Sequence, residues 1–136
     1  MRPASSTPGD ADLPSAPTDV KDLLVWQKAM ALARAAYLAT GSFPRAEAYG
    51  LTSQIRRAAV AIPSNLAEGR GRATRKDFRQ FVIVARGSAC ELETQLLLAA
   101  DLDLLDREKA EGLLQQTGEV LRMLNGLVGA LGAHDG

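Results

Sequence analysis

Aromatic side chains are nearly missing: the 136 residues include one tryptophan, two tyrosines and three phenylalanines. β-Branched residues are also scarce, which leaves little material for strands. Cys90 is the only cysteine, so neither an intramolecular disulfide nor a four-cysteine zinc site can form. A lone thiol fits a reducing compartment, and the cytoplasm is the expected location. The only histidine is His134, which reads as an inert tail residue. Its position argues against a di-iron bundle, whose Glu-x-x-His pairs sit on the helices, and against the Arg-x4–6-His pair of helical-bundle ribonucleases. No Gly-x-x-x-x-Gly-Lys phosphate loop occurs. With no histidine partner in the helical region, Cys90 is expected as a small core or interface residue rather than a nucleophile. No catalytic residue, metal site or cofactor is therefore expected. No run of eighteen apolar residues is present, and the first twenty residues contain no apolar core of a signal peptide.

What is abundant is helix-forming material. Alanine (23) and leucine (20) make up close to a third of the chain, which favours an all-α fold. The length suits one domain with one real core. Four of the six prolines (Pro3, Pro8, Pro14 and Pro17) fall within residues 1–20, among Ser, Thr, Gly and Asp. That segment has little apolar surface to offset the entropy of ordering it, so it is expected as a disordered tail. Residues 21–131 then form the domain, and 132–136 a flexible C-terminal tail. The net charge is zero but unevenly spread: residues 45–86 carry nine basic and three acidic groups, residues 87–136 three basic and nine acidic. Such asymmetry bears on partners, not on fold.

Four segments show helical periodicity. The first runs from about Lys21 to Thr40, with Val25, Ala29, Leu32, Ala33 and Ala36 on one face and Gly41 as the residue that closes it. The second runs from about Arg45 to Glu68 along Leu51, Ile55, Ala59, Ile62 and Leu66, with a kink expected at Pro63. The third spans about Arg75 to Leu102, with Thr74 as N-cap and a seam of Phe78, Phe81, Ala85, Ala89, Leu92, Leu96 and Ala99. The fourth runs from about Arg107 to Leu131. Its glycines predict fraying after about Val128. Short links between four amphipathic helices give an antiparallel up-down four-helix bundle. The third helix carries Ile83, Val84, Leu97 and Leu98 off its seam. Either it is the central helix, or these four residues face another subunit.

Several blocks recur in a known order: Val25-Trp26-Gln27-Lys28-Ala29, Phe43-Pro44, Glu47 with Tyr49-Gly50-Leu51, Gln54 to Ala59, Ile62 to Gly69, and then Phe78, Phe81, Ala85, Gly87-Ser88 and Glu91-Leu92-Glu93. Together they make residues 25–105 resemble the 23S rRNA intervening-sequence protein family, and more distantly the accessory proteins of diversity-generating retroelements. The resemblance implies a bundle that assembles into a ring, with a homo-pentamer as the expected form. It further implies contact with RNA or DNA and with a reverse transcriptase or other protein partner. The proline-rich tail lies outside the family pattern, and the neutral total charge is less basic than a dedicated nucleic-acid binder would carry.

The main chemical feature is Arg70, Arg72, Arg75, Lys76 and Arg79, opposed between residues 70 and 79 only by Asp77. Arg75, Arg79 and Arg86 fall within about 40° on a helical wheel. Guanidinium forks and helix N-terminal amides suit phosphate oxygens, so these six residues are the candidate nucleic-acid contacts. The alternative is a solvated face, or pairing with the acidic segment of a neighbour. No aromatic residue lies within residues 70–77, which argues against base stacking. Asn65, Glu68, Ser88 and Glu91 flank the apolar stripes and are expected to form a structural polar network, with Arg56 or Arg57 as counter-charge, where Gly87 permits close approach of the second helix or of a neighbouring subunit.

Overall fold

The computed structural model describes residues 19–132. Four α-helices account for most of them: α1 Leu24–Thr40, α2 Leu51–Arg70, α3 Arg75–Asp101 and α4 Arg107–Gly132. Among the described residues no strand occurs, and no helix is long and apolar enough to cross a membrane. The N-terminal residues 1–18, the last four residues and the candidate tail residue His134 lie outside the described residues.

Asp19 and Val20, the last two residues of the segment read as tail, take part in the described fold. The Asp19 carboxylate accepts the Lys21 backbone N–H at 3.1 Å and opens a short 3-10 turn, Val20–Asp22. Gln27 Nε2 donates to the Lys21 carbonyl at 2.8 Å and ties that turn to α1. Val20 packs against the core. Gly41 closes α1 with a right-handed φ of −62°, so no left-handed cap forms.

α2 begins six residues later than the periodicity suggests. Residues Arg45–Glu47 form a separate 3-10 turn, and Gly50 (φ −107°, ψ −115°) breaks the helical path before Leu51. The Glu47 carboxylate then accepts the Leu51 N–H at 3.4 Å. The helix runs without a break through Pro63, which is buried. α3 starts where its cap predicts: Thr74 Oγ1 accepts the Asp77 N–H at 3.0 Å. The α3–α4 turn passes through Asp103 with φ 60°, and Asp106 Oδ1 accepts the Lys109 N–H at 2.8 Å at the head of α4.

Each helix packs on two others, α1 on α2 and α4, and α3 on α2 and α4. The order around the core is therefore α1, α2, α3, α4, and α3 is not a central helix. Cross-helix partners fix how they pair. Gly69, near the end of α2, meets Phe78 and Phe81 near the start of α3. Gln54 and Arg57, near the start of α2, share a groove with Glu91 and Gln95 further along α3. The core is built from Leu32, Ile55, Ile62, Leu66, Val82, Leu92, Leu96, Val120 and Leu124, all fully buried. Thr117 and Thr40 sit among them with their hydroxyls satisfied by carbonyls one turn back, Thr117 on Leu113 at 2.7 Å and Thr40 on Ala36 at 2.8 Å.

α4 runs past Val128 to Gly132, with Leu131 buried. The expected fraying is countered from α3: Arg79 Nε donates to the Val128 carbonyl at 3.1 Å. A cation on the last-turn carbonyls offsets both the unpaired acceptors and the negative end of the helix dipole.

Candidate nucleic-acid interface

The tight contact between α2 and α3 shapes this region. A Cβ at Gly69 would lie 2.5 Å from Phe81 Cβ and 3.0 Å from Phe78 Cδ1. Only a residue without a side chain lets the two helices come so close. This approach carries the end of α2 over the two rings. The Arg70 guanidinium lies 5.3 Å from the Phe78 ring centroid, and that of Arg72 lies 4.9 Å from the Phe81 centroid. Both distances suit a cation–π contact. Burial, and secondarily the neighbouring Arg75 charge, lowers the pKa of Arg70 from its ordinary value. Arginine nevertheless stays protonated throughout the working pH range.

The six candidate contacts separate into two sets. Arg70, Arg72, Arg75 and Lys76 gather around the α2–α3 turn, with Arg72 and Lys76 exposed. Arg72 also faces Glu68 at 3.9 Å, an exposed i,i+4 pair of the kind that contributes little. Arg75 is half-buried, and its Nε lacks a hydrogen-bond partner. Arg79 and Arg86 instead turn toward α4. Arg79 holds the Val128 carbonyl, and Arg86 Nη1 donates to Asn125 Oδ1 at 3.2 Å. The wheel that groups Arg75, Arg79 and Arg86 records direction but not what occupies it, and here α4 does. At the far end of α3 the charge reverses: residues 101–111 hold five acidic and two basic side chains.

The other expected groupings come apart. The polar network does not form, because two of its members are satisfied nearby. Asn65 Nδ2 donates to the Ala61 carbonyl of its own helix at 2.8 Å, and Glu68 turns to Arg72. Glu91 is exposed and shares a groove of about 420 Å³ with Arg57 and Gln95, while Ser88 is half-buried. Arg56 serves α1 instead: Nε donates to Thr40 Oγ1 at 2.9 Å and Nη2 to the Tyr37 carbonyl at 3.2 Å, with the guanidinium 4.5 Å from the Tyr37 ring centroid. Gly87 is exposed and a Cβ there would meet nothing of its own chain within 4 Å, so the close approach of α3 to α2 is at Gly69 and not at Gly87. Of the four off-seam residues, Ile83 packs against the protomer's own core. Val84, Leu97 and Leu98 stand about half exposed. Cys90 is exposed rather than a core residue. Among the described residues no group of three His, Cys, Asp or Glu could hold a metal.

A sequence profile of the 23S rRNA-intervening sequence protein family matches residues 21–126. The chain belongs to that family. Its fold is similar to the crystal structure of a protein of unknown function from the S23 ribosomal protein family of Bacteroides thetaiotaomicron, with a TM-score of 0.71 and 24% identity. That likeness covers 77% of this chain and 98% of the other. No curated protein matches. The family match takes in the whole α2–α3 turn, so the basic cluster lies within the shared region and not in an appended segment.

Sequence reasoning missed Phe78 and Phe81 as parts of this site because they read as core seam. The available signal was their position about one and two turns beyond Arg75, next to a glycine-flanked helix end.

Proposed function

We propose that the protein is a non-enzymatic, self-assembling adaptor that holds the phosphate backbone of RNA or DNA at the basic end of an antiparallel bundle. One observation carries the reading: Arg70, Arg72, Arg75 and Lys76 gather at one helix–helix turn where Glu68 and Asp77 are the only nearby acids in the sequence. Contacts of this kind are directed to phosphate and carry little sequence information. Affinity then falls steeply with salt as counterions are released. Repeating the turn around a ring adds avidity to weak single contacts.

The test is the triple change Arg72→Glu, Arg75→Glu and Lys76→Glu, read by fluorescence anisotropy on mixed RNA and DNA at low salt. Arg79 is left out because it supports α4. The expected outcome is loss of binding with helicity retained. Absence of wild-type binding at low salt, or a triple variant that binds like wild type, would sink the reading.

A second reading, a module that contacts only proteins, is favoured by a different surface. Trp26, Met30, Tyr37, Val60, Pro63 and Ala67 line an apolar groove of about 450 Å³ between α1 and α2, and Val84, Leu97 and Leu98 stand exposed on α3. If the triple variant falls apart into monomers, the basic residues belong to a subunit interface and this second reading prevails.

A further inference from the structure

We infer that the α2–α3 turn takes unpaired bases, so that the preferred ligand is single-stranded nucleic acid and Arg72 is its stacking platform. This rests on the nucleic-acid reading above and narrows it.

The first observation is the placement of Arg72. Its guanidinium lies over the Phe81 ring at 4.9 Å, and the side chain is still 50% exposed. The ring covers one side of the cation and leaves the other to solvent. A guanidinium is planar, delocalised and weakly hydrated, so its open face accepts a flat π-system. In a duplex the base faces are already stacked on one another. A platform of this kind therefore gains most from a base that has no neighbour.

The second observation is what surrounds the platform. Apart from the half-exposed Glu68 carboxylate, 3.9 Å from Arg72 Nη2, the chain neighbours Gly71, Ala73 and Thr74 are small and exposed, which leaves room for a flat base beside them. Lys76, four residues further along the chain, is exposed and can serve the backbone of the same strand.

The third observation is how few cations remain. Arg79 and Arg86 are engaged by Val128 and Asn125 of α4, so the basic face does not extend along α3 as a track. Duplex binding without base contacts draws its affinity from many phosphate contacts in a row. A compact cluster at one turn offers few of them. Single-strand binding combines a few phosphate contacts with stacking, which is the combination present here.

The experiment uses the full chain and fluorescein-labelled adenylate strands of about twelve residues, as RNA and as DNA, each alone and as a duplex with its complement. Wild type is expected to bind the single strands about tenfold more tightly than the duplexes. Arg72→Lys keeps the charge but removes the plane. It is expected to weaken single-strand binding about tenfold, with an unchanged salt slope and little change on duplex. Phe81→Leu, which removes the ring beneath Arg72, is expected to act in the same direction. An Arg72→Lys protein that binds single strands like wild type would overturn the platform. So would a wild type that prefers duplex. Both of those results leave the broader basic-end reading standing, whereas no binding to any probe would remove both.

Discussion

At residue 69 the absence of a side chain sets the separation of two helices. Gly69→Ala would place a methyl group 2.5 Å from Phe81 Cβ, a contact to a helix-anchored atom and not to the far end of a flexible chain. The expected cost is about 1–3 kcal/mol by urea denaturation, as for other overpacked sites. Gly87 supplies the control. It is helical, exposed and open around its Cα, so Gly87→Ala should be stabilising by about 0.5–1 kcal/mol from helix propensity. Equal effects at the two glycines would mean that the close approach is not where the structure puts it. In the sequence Gly69 reads only as the residue that follows the expected end of α2, and Gly87 as the point of close approach. What separates them is the identity of the atoms across the gap, which periodicity does not encode. The same limit hid the polar pairings. Asn65 and Glu68 lie at plausible spacing for a cross-helix network, but a carbonyl one turn back and an arginine four residues on satisfy them with less ordering of distant groups.

The elements themselves were largely legible. Thr74 capped α3 as its residue type predicts, and the five-residue stripe expected for α1 is wholly buried. The misses have physical causes. A single stripe describes one contact face, yet each helix of this bundle has two packing neighbours. Val82, next to the expected seam, is for that reason fully buried. The alanines and glutamate at residues 46–48 favour helix and so suggest an earlier start for α2, but Gly50 interrupts the path. The glycines of α4 suggest a weak end, but their effect is offset by a cation from another helix. Two arginines do the same work at two helix ends: Arg56 on the last carbonyls of α1 and Arg79 on those of α4. We expect Arg79→Ala to lower stability by about 1.5–3 kcal/mol, the range for a hydrogen bond that involves a charged group. Hydrogen exchange should locate the loss in the last turn of α4, with faster exchange at Leu131 and Gly132 than at mid-helix amides. Unchanged protection there would show that packing alone holds the turn.

For the whole molecule, the exposed apolar residues bear on assembly. Val84, Leu97 and Leu98 are each about half exposed on α3, and Met30, Tyr37 and Val60 are comparably exposed beside the α1–α2 groove. Two such faces on different helices suit head-to-tail contacts that close into a ring. The expected result of light scattering after size exclusion is a homo-oligomer, with a pentamer foremost. A 14.4 kDa species at micromolar concentration would contradict it. Leu98→Glu should reduce the assembly to monomers while leaving helicity intact, because Leu98 contributes little to the protomer's own core.

The opposed charges of the two turns on α3 also determine how the protein meets charged solids. Residues 70–79 hold five basic side chains and one acidic, residues 101–111 five acidic and two basic. The 27 residues of α3 hold these turns about 40 Å apart. That spacing is several times the screening length of about 10 Å in 0.1 M salt, so neither pole neutralises the other. Each then acts as a separate handle in chromatography. Near its isoelectric pH of about 6.6, the protein should adhere to both cation- and anion-exchange resins in dilute buffer, and moderate salt should release it from both.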